Sequence, residues 1–405
     1  MSKYIVIFER FLRAQVSINE SMFTEYGNQT DRHSRSVSRI LPLDALRGLI
    51  IAFMALDHAN HFIAQQHSSG EYWGGQFPVY HDALAFLTRL VTHLSAPGFF
   101  FLMGVGMLLF ANSRRKQGWS EGAIVAHFLV RGGVLIALQL LVVNRAWELS
   151  PGGWGVETYI GVLCALGGTM ILGSLLLLPR LKPKILLALT VVFVLGAELL
   201  SPDPSQMGQT FSPLAHLLLI PSGDATLWVN YPVLPWLELV SFGILFGYWL
   251  VDDARKAFDR ALKLGASFAM AFVVLRALDG FGNIRPRAGN TWIDFLNVVK
   301  YPPSITFNLL TMGANLVIVG LFARMSQGSQ RFLRLLAVFG QVPLFFYLTH
   351  LFLYVGLGRW LTPHGTSIPK MYLYWLLGLL ILYPLCWGYG WLKHRQPANS
   401  ILRFF

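Results

Sequence analysis

The sequence predicts an all-α, polytopic integral membrane protein with about ten transmembrane helices and both termini on the cytoplasmic side. Three observations predict it. Of the 405 residues, 54% are hydrophobic and only 13% charged, about half the charged share of an average soluble domain. Ten uninterrupted apolar stretches approach the roughly 20 residues that cross about 30 Å of hydrocarbon. The Lys and Arg residues between them alternate in abundance from one side to the other, as they do when cytoplasmic loops carry the positive charge.

Taken in order, residues 1–42 place Lys3, Arg10 and Arg13 around a short apolar run, YIVIF. That run is too short for a signal h-region and no small-residue cleavage site follows, so the segment reads as a cytoplasmic extension. The spans are expected at 43–64, 83–112, 123–144, 156–178, 184–200, 233–251, 263–278, 303–324, 335–357 and 371–392. The second carries Pro97 and Gly98, which mark a kink. The eighth opens on Pro302 and Pro303, which suit a helix start. Residues 43–393 thus form one transmembrane domain, and 394–405 a short cytoplasmic tail.

With the first flank taken as cytoplasmic, inner segments hold 22 of the 32 Lys and Arg residues and outer segments 6, while Arg47, Arg89, Arg131 and Arg276 lie inside or at the ends of spans. That bias gives an N-in, C-in topology and removes the nucleic-acid partner that a net charge of +12 would otherwise suggest. The outer loops are rich in Trp, Tyr, Pro, Gly and Asn, beyond the short basic inner ones, so the outer face reads as elaborated for binding. No internal repeat is visible, which speaks against a transporter built from inverted repeats. Cys164 and Cys386 each sit in an apolar stretch, so neither a disulfide framework nor a cysteine metal site is expected.

Ionisable groups inside spans are costly and mark function by default. In the first span, LPLDALRGLIIAFMALDHANHF, the residues Asp44, Arg47 and His58 fall on one helix face. Asp44 and Arg47 are either an i,i+3 ion pair that helps packing or direct substrate ligands. Asp57 and His58, with His61 one turn on, form a proton-handling candidate. The second span adds Arg89 and His93 at i,i+4, and the ninth adds Tyr347 and His350. Helical rise brings His58, His93 and His350 to comparable depth. Three histidines and a carboxylate could hold a metal, but the grouping rests on depth alone and none is expected. Lys300 and Tyr301 stand at the outer entrance of the eighth span, where a capping role is the plainer reading.

At these residues the chain resembles a known family. LPLDALRGLIIAFMALDHANHF, FLTRLVTHLSAPGFFFLMGVG, PWLELVSFGILFGYWL, KYPPSITFNLLTMGANL, GQVPLFFYLTHLFL and LYPLCWGYGWLK resemble, in order, the bacterial multi-pass proteins related to the heparan-α-glucosaminide N-acetyltransferase catalytic domain. The resemblance runs from about residue 36 to the C-terminus. It implies a membrane acyltransferase in the bacterial inner membrane that moves an acyl group, acetyl above all, from cytoplasmic acyl-CoA to a sugar amine or hydroxyl on the far side. A saccharide or glycoconjugate acceptor and membrane lipid are the implied partners, with a homo-oligomer left open.

The family pattern falls on Asp44, Arg47, Gly48, Asp57, His58, Arg89, His93, Pro97, Tyr301, Pro302, Pro303 and His350. On these residues the mechanistic hypothesis is that His58, oriented by Asp57, is the base and that Arg89 and His93 stabilise the oxyanion or complete a proton path, with His350 a further catalytic candidate. Asp44, Arg47 and Tyr301 are the implied contacts to the CoA donor. In lysosomal members the catalytic histidine lies in the outer loop after the first span, near which this chain has His67, so His58, His67 and His93 all stay open as the base. Direct transfer and a covalent acyl-histidine use the same residues. Two positions depart from the pattern: Asn60 and His61 follow the Asp-His pair where relatives often have a basic and then an acidic residue, and Glu238 follows PWL where glycine is common. Two other classes compete: a small-solute or proton-coupled transporter using the same Asp and His cluster, and a non-catalytic membrane component that binds a partner through its outer loops.

Overall fold

A computed structural model describes residues 40–67, 70–80, 82–397 and 400. Most of the expected N-terminal extension and the end of the tail lie outside the described residues. Helix α1 spans Leu41–Ala59, starting with Pro42 in its first turn, and continues as a π-helical turn over Asn60–Ala64. The expected second span is two helices, α2 (Ala83–Thr92) and α3 (Ser95–Arg115), with the break at His93 and Leu94. The break precedes Pro97 because its ring crowds the carbonyl of residue 93, four positions back, and it has no N–H to donate there. Helix α4 spans Glu121–Leu138 and passes through a second π turn, Gln139–Val143, into α5 (Asn144–Glu148).

Strand β1 (Thr158–Ile160) leads into α6 (Val162–Leu175), followed by α7 (Pro183–Leu199) and the short α8 (Pro213–Leu218). Strands β2 (Ser222–Gly223) and β3 (Leu227–Val229) complete a small sheet of order β1-β3-β2. Then come α9 (Val233–Asp252), α10 (Ala254–Leu278), α11 (Trp292–Leu296), α12 (Ile305–Arg324), α13 (Gln330–Gly340), α14 (Pro343–Leu361) and α15 (Ile368–Arg395). The chain is an all-α polytopic membrane protein.

Seven helical stretches among the described residues are long and apolar enough to cross a membrane: Ala83–Arg115, Glu121–Glu148, Val233–Asp252, Ala254–Leu278, Ile305–Arg324, Pro343–Leu361 and Ile368–Arg395. The other three expected spans are largely helical but differ from that standard, and the one expected at 156–178 begins in strand β1 and becomes helical only at Val162. Helix α1 carries Asp44, Arg47 and Asp57, while α6 and α7 are 14 and 17 residues long. The expected ninth span, 335–357, is corrected to two helices that meet at Gln341 and Val342. Pro343 enforces that break in the same way as Pro97.

Helix α1 is central, packing against α2, α3, α12, α13, α14 and α15. Helices α10 and α15 lie at the rim, where Met270, Leu278, Leu373, Leu380 and Trp387 are exposed as lipid-facing apolar surface. Helices α1 and α13 touch backbone to backbone. A Cβ on Gly48 would lie 1.9 Å from the Leu336 carbonyl oxygen, and one on Gly340 would lie 2.0 Å from that of Asp44. Small residues allow such close approach in membranes, and no side-chain rotation relieves a clash with backbone. Gly340→Val is therefore expected to destabilise the fold by about 1–3 kcal/mol or more, seen as a lowered thermal-unfolding midpoint in detergent. A variant with the wild-type midpoint would show that the two helices are not held this close.

Candidate functional site

The polar residues of α1 look in two directions, because neighbours on a helix are about 100° apart. Asp57 turns toward α2, and His58 toward α14. Asp57 Oδ1 accepts from Arg89 Nη1 at 2.7 Å and from the Thr92 hydroxyl at 2.7 Å. Arg89 is buried and gives its other edge to Glu71, with Nε to Oε1 at 2.7 Å and Nη2 to Oε2 at 2.9 Å. Such a two-point pairing fixes both the plane and the position of the guanidinium. His67 Nε2 stands 2.8 Å from Arg89 Nη1 and 3.2 Å from Asp57 Oδ1. His93 Nε2 lies 3.6 Å from Glu71 Oε1, and its Nδ1 is buried without a hydrogen-bond partner among the described residues.

Glu71 was not singled out from the sequence. It lies in the 65–82 loop, where there is no helical period to mark it. A backbone pairing carries it inward: the Glu71 carbonyl accepts from the Lys300 and Tyr301 N–H groups at 2.9 and 3.0 Å, and the Trp73 N–H donates to the Tyr301 carbonyl at 2.8 Å. Burial alone would push the Glu71 carboxyl up, but the charge and hydrogen bonds of Arg89 hold it down at about 2. Tyr301 is buried against Tyr72, with ring centroids 5.0 Å apart, and its hydroxyl is 3.3 Å from that of Tyr231.

On the other face, His58 Nδ1 is 2.8 Å from His350 Nε2, and His350 Nδ1 is 2.9 Å from the Phe346 carbonyl oxygen. A carbonyl only accepts, so His350 carries its proton on Nδ1. A neutral His350 therefore offers a bare Nε2, which makes His58 the donor through Nδ1. In that arrangement a neutral His58 has its proton on Nδ1 and a bare Nε2 that can accept one. The His58 ring, expected to be oriented by Asp57, is hydrogen-bonded to His350, while Asp57 accepts from Arg89 and Thr92. Of the three histidines expected at one depth, the structure joins His58 to His350 and sets His93 apart beside Glu71.

A cavity of about 460 Å³ joins the two ends of this polar path. At one end it is lined by Asp44, Arg47, Gln341 and Lys393, and at the other by Asp57, His58, Tyr231 and Lys300. Arg47 donates to Asp44 Oδ1 at 2.8 Å and to the Gly340 carbonyl at 3.1 Å. Between the ends the walls are largely apolar, with Met54, Phe99, Met103, Leu135 and Leu166, and α4 adds His127 and Arg131. Arg89, His93 and His350 are buried behind the walls. Among the described residues no group of three or more His, Cys, Asp or Glu side chains is placed to hold a metal ion.

Comparison with known proteins matches residues 39–277, more than half of the chain, to the family "Heparan-alpha-glucosaminide N-acetyltransferase, catalytic". The mouse (Mus musculus) heparan-alpha-glucosaminide N-acetyltransferase is 27% identical over 148 residues, which cover 36% of this chain and 20% of that protein. The human (Homo sapiens) enzyme of the same name is 27% identical over 154 residues, covering 38% of this chain and 21% of that protein. Each match thus spans about a fifth of the curated relative's length. The chain belongs to the heparan-alpha-glucosaminide N-acetyltransferase catalytic family.

Proposed function

We propose that this protein is a membrane acyltransferase that passes an acyl group, acetyl in the first instance, from acyl-CoA to a sugar amine or hydroxyl. The observation that carries the reading is the single cavity lined by both Arg47 and His58. Those residues are eleven positions apart on one helix, about 16 Å of rise, which is of the order of an extended pantetheine arm. Phosphates would lie at the end lined by Arg47 and Lys393, the apolar middle would hold the arm, and the thioester would reach His58.

In this reading His58 Nε2 removes a proton from the acceptor as it attacks the thioester carbonyl, and His350 holds the ring in the basic tautomer. Arg89 acts as a positioning residue that fixes Asp57 at the cavity wall. The acceptor approaches from the end that carries the small sheet and the long aromatic loops. The N-in, C-in topology of the charge pattern would put the CoA end on the cytoplasmic side.

Incubation of purified protein with radiolabelled acetyl-CoA and glucosamine tests the proposal. CoA release that depends on His58 is expected, and proton-linked flux without any acetyl-CoA binding would instead favour the transporter reading. The cationic lining gives a second test. Arg47→Gln and Lys393→Gln are each expected to raise KM for acetyl-CoA about tenfold, the size of one charge-assisted hydrogen bond, with kcat little changed. An unaltered KM in both would remove the phosphate end from this cavity.

A further inference from the structure

One charged group at the His58 end of the cavity has no role in the scheme above. Lys300 is 3% exposed and lines the cavity. Its backbone is tied to Glu71, and Tyr301 to Trp73, so the segment is held on both sides. The ammonium lies 5.0 Å from the Tyr301 ring centroid. Among the described residues no ion pair joins it to a carboxylate. The groups that face it are Asp57 and His58 of α1, Glu71 of the loop, Arg89 of α2, His93 at the break that follows it, and Tyr231 and Tyr301. Arg89 holds both nearby carboxylates by direct ion pairs; the three groups together keep one net negative charge, which attracts Lys300 without binding it directly, and the ammonium lines the cavity where a ligand can accept from it.

We propose that Lys300 donates a hydrogen bond to the thioester carbonyl oxygen of the acyl donor and stabilises the oxyanion that develops there. This rests on the acyltransfer reading. In the step, the acceptor N–H or O–H attacks the carbonyl carbon, and the C=O electron pair moves onto the oxygen facing Lys300. His58 Nε2 takes the acceptor proton. Collapse of the intermediate breaks the C–S bond, and the departing CoA thiolate takes that proton from His58, so the products are the acylated acceptor and free CoA thiol. A fixed ammonium in a water-poor cavity stabilises charge that is absent in the ground state, which is the condition for raising kcat.

Burial, and then the charge of Arg89, push the Lys300 ammonium down to about 8, against the pull of Asp57 and Glu71. The charged form does the work, so the rate should fall as pH rises through about 8. The test compares wild type, Lys300→Met and Lys300→Arg as full-length protein in detergent. Acetyl-CoA and glucosamine are the substrates, CoA thiol release is the rate, and acetyl-CoA binding is measured by equilibrium dialysis.

Lys300→Met is expected to lower kcat by about 10²–10³-fold with acetyl-CoA binding retained. Lys300→Arg is expected to keep part of the rate and to hold it above the pH at which wild type declines, because a guanidinium stays charged. Wild-type kcat in Lys300→Met, or the same alkaline decline in Lys300→Arg as in wild type, overturns the assignment and leaves acyltransfer standing. If Lys300→Met fails to bind acetyl-CoA, the Lys300→Arg pH profile decides. Wild-type protein that neither binds acetyl-CoA nor releases CoA overturns acyltransfer itself and this assignment with it.

Discussion

Replacing His58 by alanine is expected to lower acyl transfer from acetyl-CoA by about 10²–10⁴-fold, the usual contribution of a positioned general base. Acetyl-CoA binding should survive, because the cationic contacts lie at the other end of the cavity. His350→Ala should act in the same direction but less strongly. It leaves the base in place and removes only the acceptor that holds the proton on His58 Nδ1. His350→Gln, whose amide oxygen can still accept from Nδ1, should recover part of the loss. That graded order separates a base and its orienting partner from three independent packing residues. His67 is the control that decides between alternatives. It sits between Arg89 Nη1 and Asp57 Oδ1, so a His67→Ala variant slower than His58→Ala would move the base to the loop.

Much of this arrangement was legible in the sequence where helical geometry governs it. The shared face of Asp44, Arg47 and His58 follows from 3.6 residues per turn, and the cavity is lined by all three. Counting rise along two spans puts His58 and His350 at comparable depth, and the structure joins them. Where contacts depend on azimuth and not on depth, counting was blind, and His93 fell on the far side, beside Glu71. Glu71 itself was invisible because a loop has no period. Its place is set by the pairing of residues 71–73 with Lys300 and Tyr301, across more than 220 residues of chain. Likewise the three-stranded sheet is too short to show an alternating pattern. The ninth span read as continuous because the apolar run continues through Gln341, Val342 and Pro343, although the proline forbids the helix to do so.

Arg89→Met is expected to destabilise the protein by about 3–5 kcal/mol, the usual result of removing one partner of a buried ion pair. The reason lies in what remains. Glu71 has no solvent exposure, and without the guanidinium its carboxylate would have to stay charged in a dry site or take up a proton. Glu71→Gln should cost less, since Arg89 keeps Asp57 at 2.7 Å. The double variant Arg89→Met/Glu71→Met should be more stable than Arg89→Met alone, because the fully buried Glu71 charge is gone and only Asp57, which keeps Thr92 and His67 as partners, has lost its guanidinium.

The pH dependence provides an independent check on the same pair. Glu71 sits at about 2 in the folded protein against an ordinary value of 4.5. A carboxylate depressed on folding contributes stability that is fully present above about 4.5 and lost as pH falls toward about 2. The size of that contribution is on the order of 3 kcal/mol. Thermal-unfolding midpoints in detergent, measured from pH 7 down to pH 3, should therefore fall more steeply for wild type than for Glu71→Gln, which has no proton to gain at that position. Parallel curves would mean that Glu71 is not held as an anion by Arg89, and the clamp that fixes Asp57 at the cavity wall would lose its physical basis.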